Sequence, residues 1–200
     1  MDRDDHHTSP AAPRAGRREW LGLAVLVLPT ILISMDLTVL HLAVPHLSSD
    51  LRPTSTELLW IVDVYGFMIA GLLIPMGALG DRIGRRRLLL AGGVAFALAS
   101  ALAAASSSPA MLIATRALLG IAGATLLPST LALIRNMFAD PRERTTAVSM
   151  WMMGFMVGGA LGPLAGGAIL DWLDWRAVFL LAVPVMLVLV AAGPALVPEY

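Results

Sequence analysis

Six apolar stretches follow one another in this chain with only short polar breaks, each close to the roughly 20 residues a helix needs to cross the hydrocarbon of a bilayer. They fall at about residues 20–44, 57–79, 88–105, 109–134, 145–170 and 177–197. A soluble core could not absorb so much apolar sequence. Hydrophobic residues make up 58% of the chain and charged residues 14%, with the charge confined to short patches. The pattern predicts an all-α membrane protein, a six-transmembrane-helix bundle. Residues 1–19, rich in Asp, Arg, Pro and small side chains and without apolar periodicity, read as a disordered tail. Arg14, Arg17 and Arg18 precede the first apolar run as they would in a signal peptide, but that run continues past the length of an h-region without a small-residue cleavage site.

The breaks carry helix-start chemistry. Thr54-Ser55-Thr56-Glu57 has the spacing of a capping box before the second span, while Ser108-Pro109 and Asp140-Pro141 put a capping side chain ahead of a proline at the first helical position. The breaks also hold the arginines. The stretch Gly77 to Arg87, GALGDRIGRRR, packs one acid and four arginines between two apolar runs. At roughly 2.5 to 3.5 kcal/mol per guanidinium in hydrocarbon, it must form a tight elbow outside the membrane. Arg3, Arg14, Arg17, Arg18, Arg82, Arg85, Arg86, Arg87, Arg135, Arg142 and Arg144 fall on one face, against Arg52 and Arg176 on the other. The positive-inside rule then makes the N-terminus, the elbow and the C-terminal end cytoplasmic. Trp20, Trp60, Trp172 and Trp175 sit at span ends, where interfacial anchors are expected.

Other functions are disfavoured by what the composition lacks. All fourteen basic residues are arginine, so there is no lysine for a phosphate-binding loop and no sign of direct ATP hydrolysis. With no cysteine and four histidines in no ligand-like spacing, no metal, cofactor or catalytic residue is expected, and no nucleic-acid partner.

Within the spans the readily ionisable residues are Asp36, His41, Asp63 and Arg116, and such residues are costly enough in lipid to be functional candidates. Asp36 lies nine residues before Pro45, Asp63 six after Glu57, and Arg116 seven after Pro109. At about 1.5 Å of rise per residue, all three lie roughly 9 to 13 Å below the outer surface. Two acids and one base in a layer could form a charge cluster that a proton or an organic cation neutralises. A structural clamp between Asp36 and Arg116 is the alternative. His41 is near the outer mouth, off the Asp36 face, and reads as a hydrated or hydrogen-bonded histidine, with a pH sensor as the alternative. In the fifth span Gly154, Gly158, Gly162 and Gly166 recur every four residues beside Pro163, a stripe that admits close helix approach. Ordinary small-residue packing explains the stripe equally well.

The elbow resembles the signature loop between spans 2 and 3 of the major facilitator superfamily of transporters, with Gly77, Leu79, Asp81, Arg82, Gly84, Arg85 and Arg86 in place. The pattern Gly158-x-x-x-Gly162-Pro163-x-x-Gly166-Gly167 resembles the antiporter signature of drug-exporting facilitators. Met35-Asp36-Leu37-Thr38 with Ala43-Val44-Pro45, and Leu112-x-x-x-Arg116-x-x-x-Gly120, are similar to the span 1 and span 4 motifs of the 14-span drug/proton antiporters. Trp60 to Tyr65 is similar to span 2 of the quaternary-ammonium efflux pumps in that branch. The likeness covers about residues 20 to 199; His41, where many relatives carry asparagine or an apolar residue, is a departure.

The resemblance implies an N-terminal half of such a transporter, built as two inverted three-helix repeats in the plasma (inner) membrane. It implies a proton-coupled multidrug exporter of lipophilic, quaternary ammonium cations working by alternating access, with Asp36, Asp63 and Arg116 coupling proton and cation. Gly77, Gly80, Asp81, Arg82, Gly84, Arg85 and Arg86 would form a cytoplasmic gate loop whose charges also reach the other half. Gly154, Gly158, Gly162, Pro163, Gly166 and Gly167 would form an antiporter helix between the halves. The implied partners are a cationic lipophilic substrate, protons, the lipid bilayer, and the remaining C-terminal half or a second copy. A symporter or specific metabolite exporter, or a non-transporting six-span membrane partner, are the alternatives.

Overall fold

A computed structural model describes residues 13–199. It contains α1 (Arg17–Leu51), α2 (Ser55–Ile83), α3 (Arg85–Ala104), α4 (Pro109–Met137), α5 (Pro141–Trp172), α6 (Ala177–Leu180) and α7 (Ala182–Leu196). Most of the tail assigned from sequence lies outside the described residues, and its last part, from Arg17, already belongs to α1. Leu181 keeps right-handed helical dihedrals, so α6 and α7 run on as one rod. With that rod counted once, six segments among the described residues are long and apolar enough to cross a membrane. α1 continues to Leu51, past Val44 and through Pro45.

The helix starts follow the capping chemistry of their sequences. Thr54 accepts from the Glu57 amide while Glu57 accepts from the Thr54 amide. Ser108 accepts from Met111, and Asp140 accepts from both Arg142 and Glu143. The elbow is shorter than eleven residues. Gly77, Gly80, Asp81 and Arg82 lie on the last turns of α2 and Arg85 to Arg87 on the first turn of α3, leaving Gly84 alone to reverse the chain. Its φ of 103° lies in the region that only glycine enters without strain.

α1 packs chiefly on α5, α2 on α4, α3 on α4 and on α7, and α7 also on α1. Exchanging α1 with α4, α2 with α5, and α3 with the α6/α7 rod maps this set of neighbours onto itself. Three spans separate the equivalents, so the second trio enters the membrane from the opposite side. This is the arrangement of two inverted repeats. The central pair is α1 and α4, which are largely buried, whereas α2 and α5 leave most of their apolar surface uncovered. Leu26 and Ile33 of α1 and Leu119, Leu126 and Leu133 of α4 are fully buried.

Lipid is as apolar as leucine, so burial alone does not hold these helices together; close backbone approach and hydrogen bonds must. α5 supplies the approach. Gly154, Gly158, Gly162 and Gly166 are all buried against α1, and a Cβ at Gly158 would lie on the backbone of Ile31. The stripe is therefore occupied by α1 of the same bundle and is not presented outward. Gly167 faces open space. Gly158→Val should therefore destabilise the bundle by at least about 1–3 kcal/mol, the usual range for overpacking. Gly167→Ala should be neutral or stabilising by up to about 1 kcal/mol. Unfolding of both variants in detergent micelles checks this, and equal losses would contradict the packing.

Candidate functional site

The site begins with a guanidinium buried by protein on every side. Arg116, on α4 and 1% exposed, donates from one Nη to Asp36 Oδ2 of α1 at 2.6 Å. Its Nε donates to the Ile61 carbonyl of α2 at 3.2 Å, and its Cζ stands 4.5 Å from the centre of the Tyr65 ring. Tyr65 is fully buried and donates its hydroxyl to the Ile33 carbonyl of α1 at 3.3 Å. One arginine thus gathers a carboxylate, a carbonyl and an aromatic face from two other helices. The sequence permits the close fit through Gly120, one turn along α4 from Arg116, where a Cβ would strike the Tyr65 carbonyl and the Met68 side chain. Buried charges that persist are paired and hydrogen-bonded, and this one is both.

Asp63 stands apart from that pair. Arg116 docks on the face of α2 that carries Ile61 and Tyr65, and Asp63, two residues from each, is turned about 200° away from both. It lines a separate opening with Leu37, His41, Val62, Gly66 and Phe67. No ion pair to Asp63 occurs among the described residues. Equal depth, the basis for grouping the three charges, does not imply a shared face. His41 and Asp63 come to the same opening instead, a pairing that spacing along two different helices could not reveal.

α1 also bonds to α5 on the side away from Asp36. Ser34 donates to the Phe155 carbonyl at 2.5 Å, and Thr38 donates to the Gly159 carbonyl at 3.1 Å, with the Met35 carbonyl at the same distance. Nearer the elbow, Trp151 Nε1 of α5 donates to Thr130 Oγ1 of α4.

The elbow charges are spent largely within the bundle. Asp81 accepts from Arg85 at 2.5 Å across Gly84, and both line a cleft with Arg135 and Asn136 of α4. Arg86 pairs with Glu199 at 3.3 Å and donates to the Val197 carbonyl, so it fastens the end of α7 to the start of α3. Glu199 gave no sign of this role in the sequence, since it lies 113 residues from its partner.

At the opposite end of the bundle Asp50 of α1 pairs with Arg176 at 2.8 Å and accepts from Trp175 Nε1 at 3.1 Å. Arg176 also donates to the Ser106 carbonyl. Trp175 is 2% exposed and serves this clamp, which corrects its reading as an interfacial anchor. Trp172, 86% exposed, and Trp60, 49% exposed, keep the outward position that such anchors need.

Comparison with known proteins gives the geometry its context. A family model described as Major Facilitator Superfamily matches residues 26–199. The chain is 54% identical to the multidrug efflux pump LfrA of Mycolicibacterium smegmatis over 96% of its own length and 38% of that protein's. It is 47% identical to the methyl viologen resistance protein SmvA of Salmonella typhimurium, over 91% of this chain and 37% of that one. It is 38% identical to the puromycin resistance protein pur8 of Streptomyces alboniger, over 91% and 36%. The chain therefore spans somewhat over a third of the length of these curated relatives. Among solved structures, an inward-facing bacterial homologue of the human lysosomal transporter Spinster superposes with a TM-score of 0.72 at 20% identity, covering 91% of this chain and 43% of that one. A peptide transporter superposes with a TM-score of 0.75 at 23% identity, covering 87% and 37%. Those two likenesses are of fold. LfrA is described as an efflux pump and both structural neighbours as transporters, and none of these is an enzyme.

The buried pair makes a prediction about stability. Removing either charge, as in Asp36→Leu or Arg116→Met, should cost about 3–5 kcal/mol by leaving the other uncompensated. The double variant Asp36→Leu with Arg116→Met should lie within about 1–2 kcal/mol of the parent, since a well-packed apolar pair replaces a buried ionic one with little loss. A double-mutant cycle on unfolding in micelles measures the difference; additive losses would mean the two side chains do not act as a pair.

Proposed function

The chain belongs to the Major Facilitator Superfamily, and from that premise we propose that it forms the N-terminal half of a proton-coupled exporter of lipophilic, quaternary ammonium cations. On this reading it lies in the plasma (inner) membrane with both of its ends cytoplasmic, as the asymmetry of its arginines favours. The remaining C-terminal half, or a second copy, closes the transport cavity against the uncovered faces of the bundle. The proposed domain division is a cytoplasmic segment of residues 1–19, whose last three residues already belong to α1, followed by a transport unit from residue 20 onward.

The observation that carries the reading is the Asp36–Arg116 pair, buried where three spans meet. An intramembrane acid and base in contact can hold or release one proton while the bundle stays folded. With Asp36 ionised the pair is neutral. A proton arriving from the outer side neutralises Asp36 and leaves Arg116 unpaired, which favours a different packing of α1, α2 and α4. The energies match the task. Losing one partner of a buried pair costs about 3–5 kcal/mol, and one charge crossing 100 mV of membrane potential supplies about 2.3 kcal/mol before any pH gradient is added.

Asp63 is the acid available to a cation. It borders an opening that also holds Phe67, a residue 63% exposed, and a carboxylate beside an aromatic side chain suits a lipophilic cation. The relatives' names support this substrate class. One is a multidrug efflux pump, and another confers resistance to methyl viologen, itself a doubly quaternary cation.

Ethidium added to energised membrane vesicles bearing the full-length transporter, this half joined to its C-terminal half, should drive proton flux in the opposite direction. Asp36→Asn, which keeps an acceptor for Arg116 and removes the titrating group, should abolish that flux while the protein remains inserted. Asp63→Asn should raise the ethidium concentration needed for half-maximal efflux. Full flux in Asp36→Asn would remove Asp36 from the mechanism. No flux in the parent would instead favour a symporter, a specific metabolite exporter or a non-transporting partner.

A further inference from the structure

Pro163 lies inside α5, and a proline has no N–H to give to the carbonyl four residues back. That carbonyl belongs to Gly159, and it lies in the membrane-spanning part of the bundle, where a backbone group freed in this way is met by a neighbouring helix or side chain. The structure fills the vacancy from the next helix. Thr38 Oγ1 of α1 lies 3.1 Å from the Gly159 oxygen in donor geometry. The Met35 carbonyl is equally near, but it lies in unbroken helix, where the Val39 amide is its ordinary partner. Gly162 makes room for the bond, because any Cβ there would collide with the Thr38 hydroxyl. Glycine, proline and threonine thus make one device: one clears the space, one frees the acceptor and one supplies the donor.

Its position on α1 gives the device a consequence. Ser34 and Thr38 are four residues apart and share the face toward α5, while Asp36, two residues from each, is about 200° round the helix and faces Arg116. α1 is pinned to the broken segment of α5 on one side by two hydroxyl-to-carbonyl bonds and to α4 on the other by the ion pair. We propose that Thr38 is a positioning residue, through which the proline break in α5 sets where the Asp36 carboxylate stands against Arg116. The inference rests on the transport reading above for its meaning in proton coupling, and on the hydrogen bond alone for its structural part. A rotation or bend of α5 at Pro163 cannot keep the Thr38 bond without carrying this turn of α1, and Asp36 with it.

Two measurements on four variants, Thr38→Val, Thr38→Ser, Pro163→Ala and the double variant Thr38→Val with Pro163→Ala, test it. In micelles, Thr38→Val should lower the unfolding temperature in the parent background, and Thr38→Ser should restore it. In the Pro163→Ala background, where the residue 163 amide satisfies Gly159, Thr38→Val should lose most of that effect. Equal losses in both backgrounds would overturn the assignment of the hydroxyl to the orphaned carbonyl. In vesicles, Thr38→Val should shift the pH profile of ethidium efflux, and Thr38→Ser should retain the parent profile. An unshifted profile in Thr38→Val would make the residue merely structural and overturn the positioning role. Parent vesicles without ethidium efflux would sink the transport reading and this role with it, while the unfolding cycle would still decide the hydrogen bond on its own.

Discussion

A guanidinium in the middle of an apolar bundle has to be answered by the protein itself, and the way Arg116 is answered sets the arrangement of the central helices. Its three partners come from α1 and α2: the Asp36 carboxylate, the Ile61 carbonyl and the ring of Tyr65. Tyr65 in turn reaches back to α1 through Ile33. The result is a closed ring of contacts in which α4 fixes both α1 and α2, and α2 fixes α1. A slip of one residue in any of the three would turn a charge toward lipid. Apolar packing tolerates such slips far better, so register in the centre of the bundle is specified mostly by this polar set.

Much of the architecture was legible because water and lipid divide sequence so sharply. Arginine cannot stay in hydrocarbon unpaired, which marks the elbow. The caps at Thr54, Ser108 and Asp140 are local chemistry and need no knowledge of the fold. The Asp36 and Arg116 meeting was readable as a shared depth, because helical rise is constant. What depth cannot carry is rotation. Asp63 lies at the same level on the wrong face of α2, and only the docking of Arg116 onto Ile61 and Tyr65 defines which face is wrong. Long-range pairings were hidden for the same reason. Glu199 and Asp50 carry no signal of a partner in the sequence, and Trp175 reads as a membrane anchor, until the fold brings their partners alongside. The glycine stripe was visible, but nothing in its period named α1 as the helix that fills it.

The two halves of the repeat share their neighbour pattern and differ in what they do with it. α4 meets α2 at Gly120, with a charged side chain one turn away. The equivalent contact, α1 with α5, has a stripe of four glycines and two hydroxyl-to-carbonyl bonds in place of a charge. One crossing is therefore organised around an ion that must stay paired, the other around backbone brought very close to backbone. The first resists rearrangement unless a proton changes the charge. The second is tight but interrupted at Pro163, where α5 has already lost one of its own hydrogen bonds.

Polar contacts between helices converge on α1. It bonds to α4 through Asp36, to α5 through Ser34 and Thr38, to the segment before α6 through Asp50, and to α7 through Arg18, which donates to the Ala195 carbonyl. Interhelical hydrogen bonds in membranes average only about 0.6 kcal/mol, because an unfolded helix in lipid also finds partners, so these bonds add little to stability one by one. Their value lies in selection. Close packing rewards any helix that fits, whereas a hydroxyl over Gly159 or a carboxylate at Arg116 rewards one rotation of α1 alone. A helix held at several levels by bonds of this kind moves as a unit, and a change of charge at Asp36 is then felt along its whole length instead of being absorbed in a single turn.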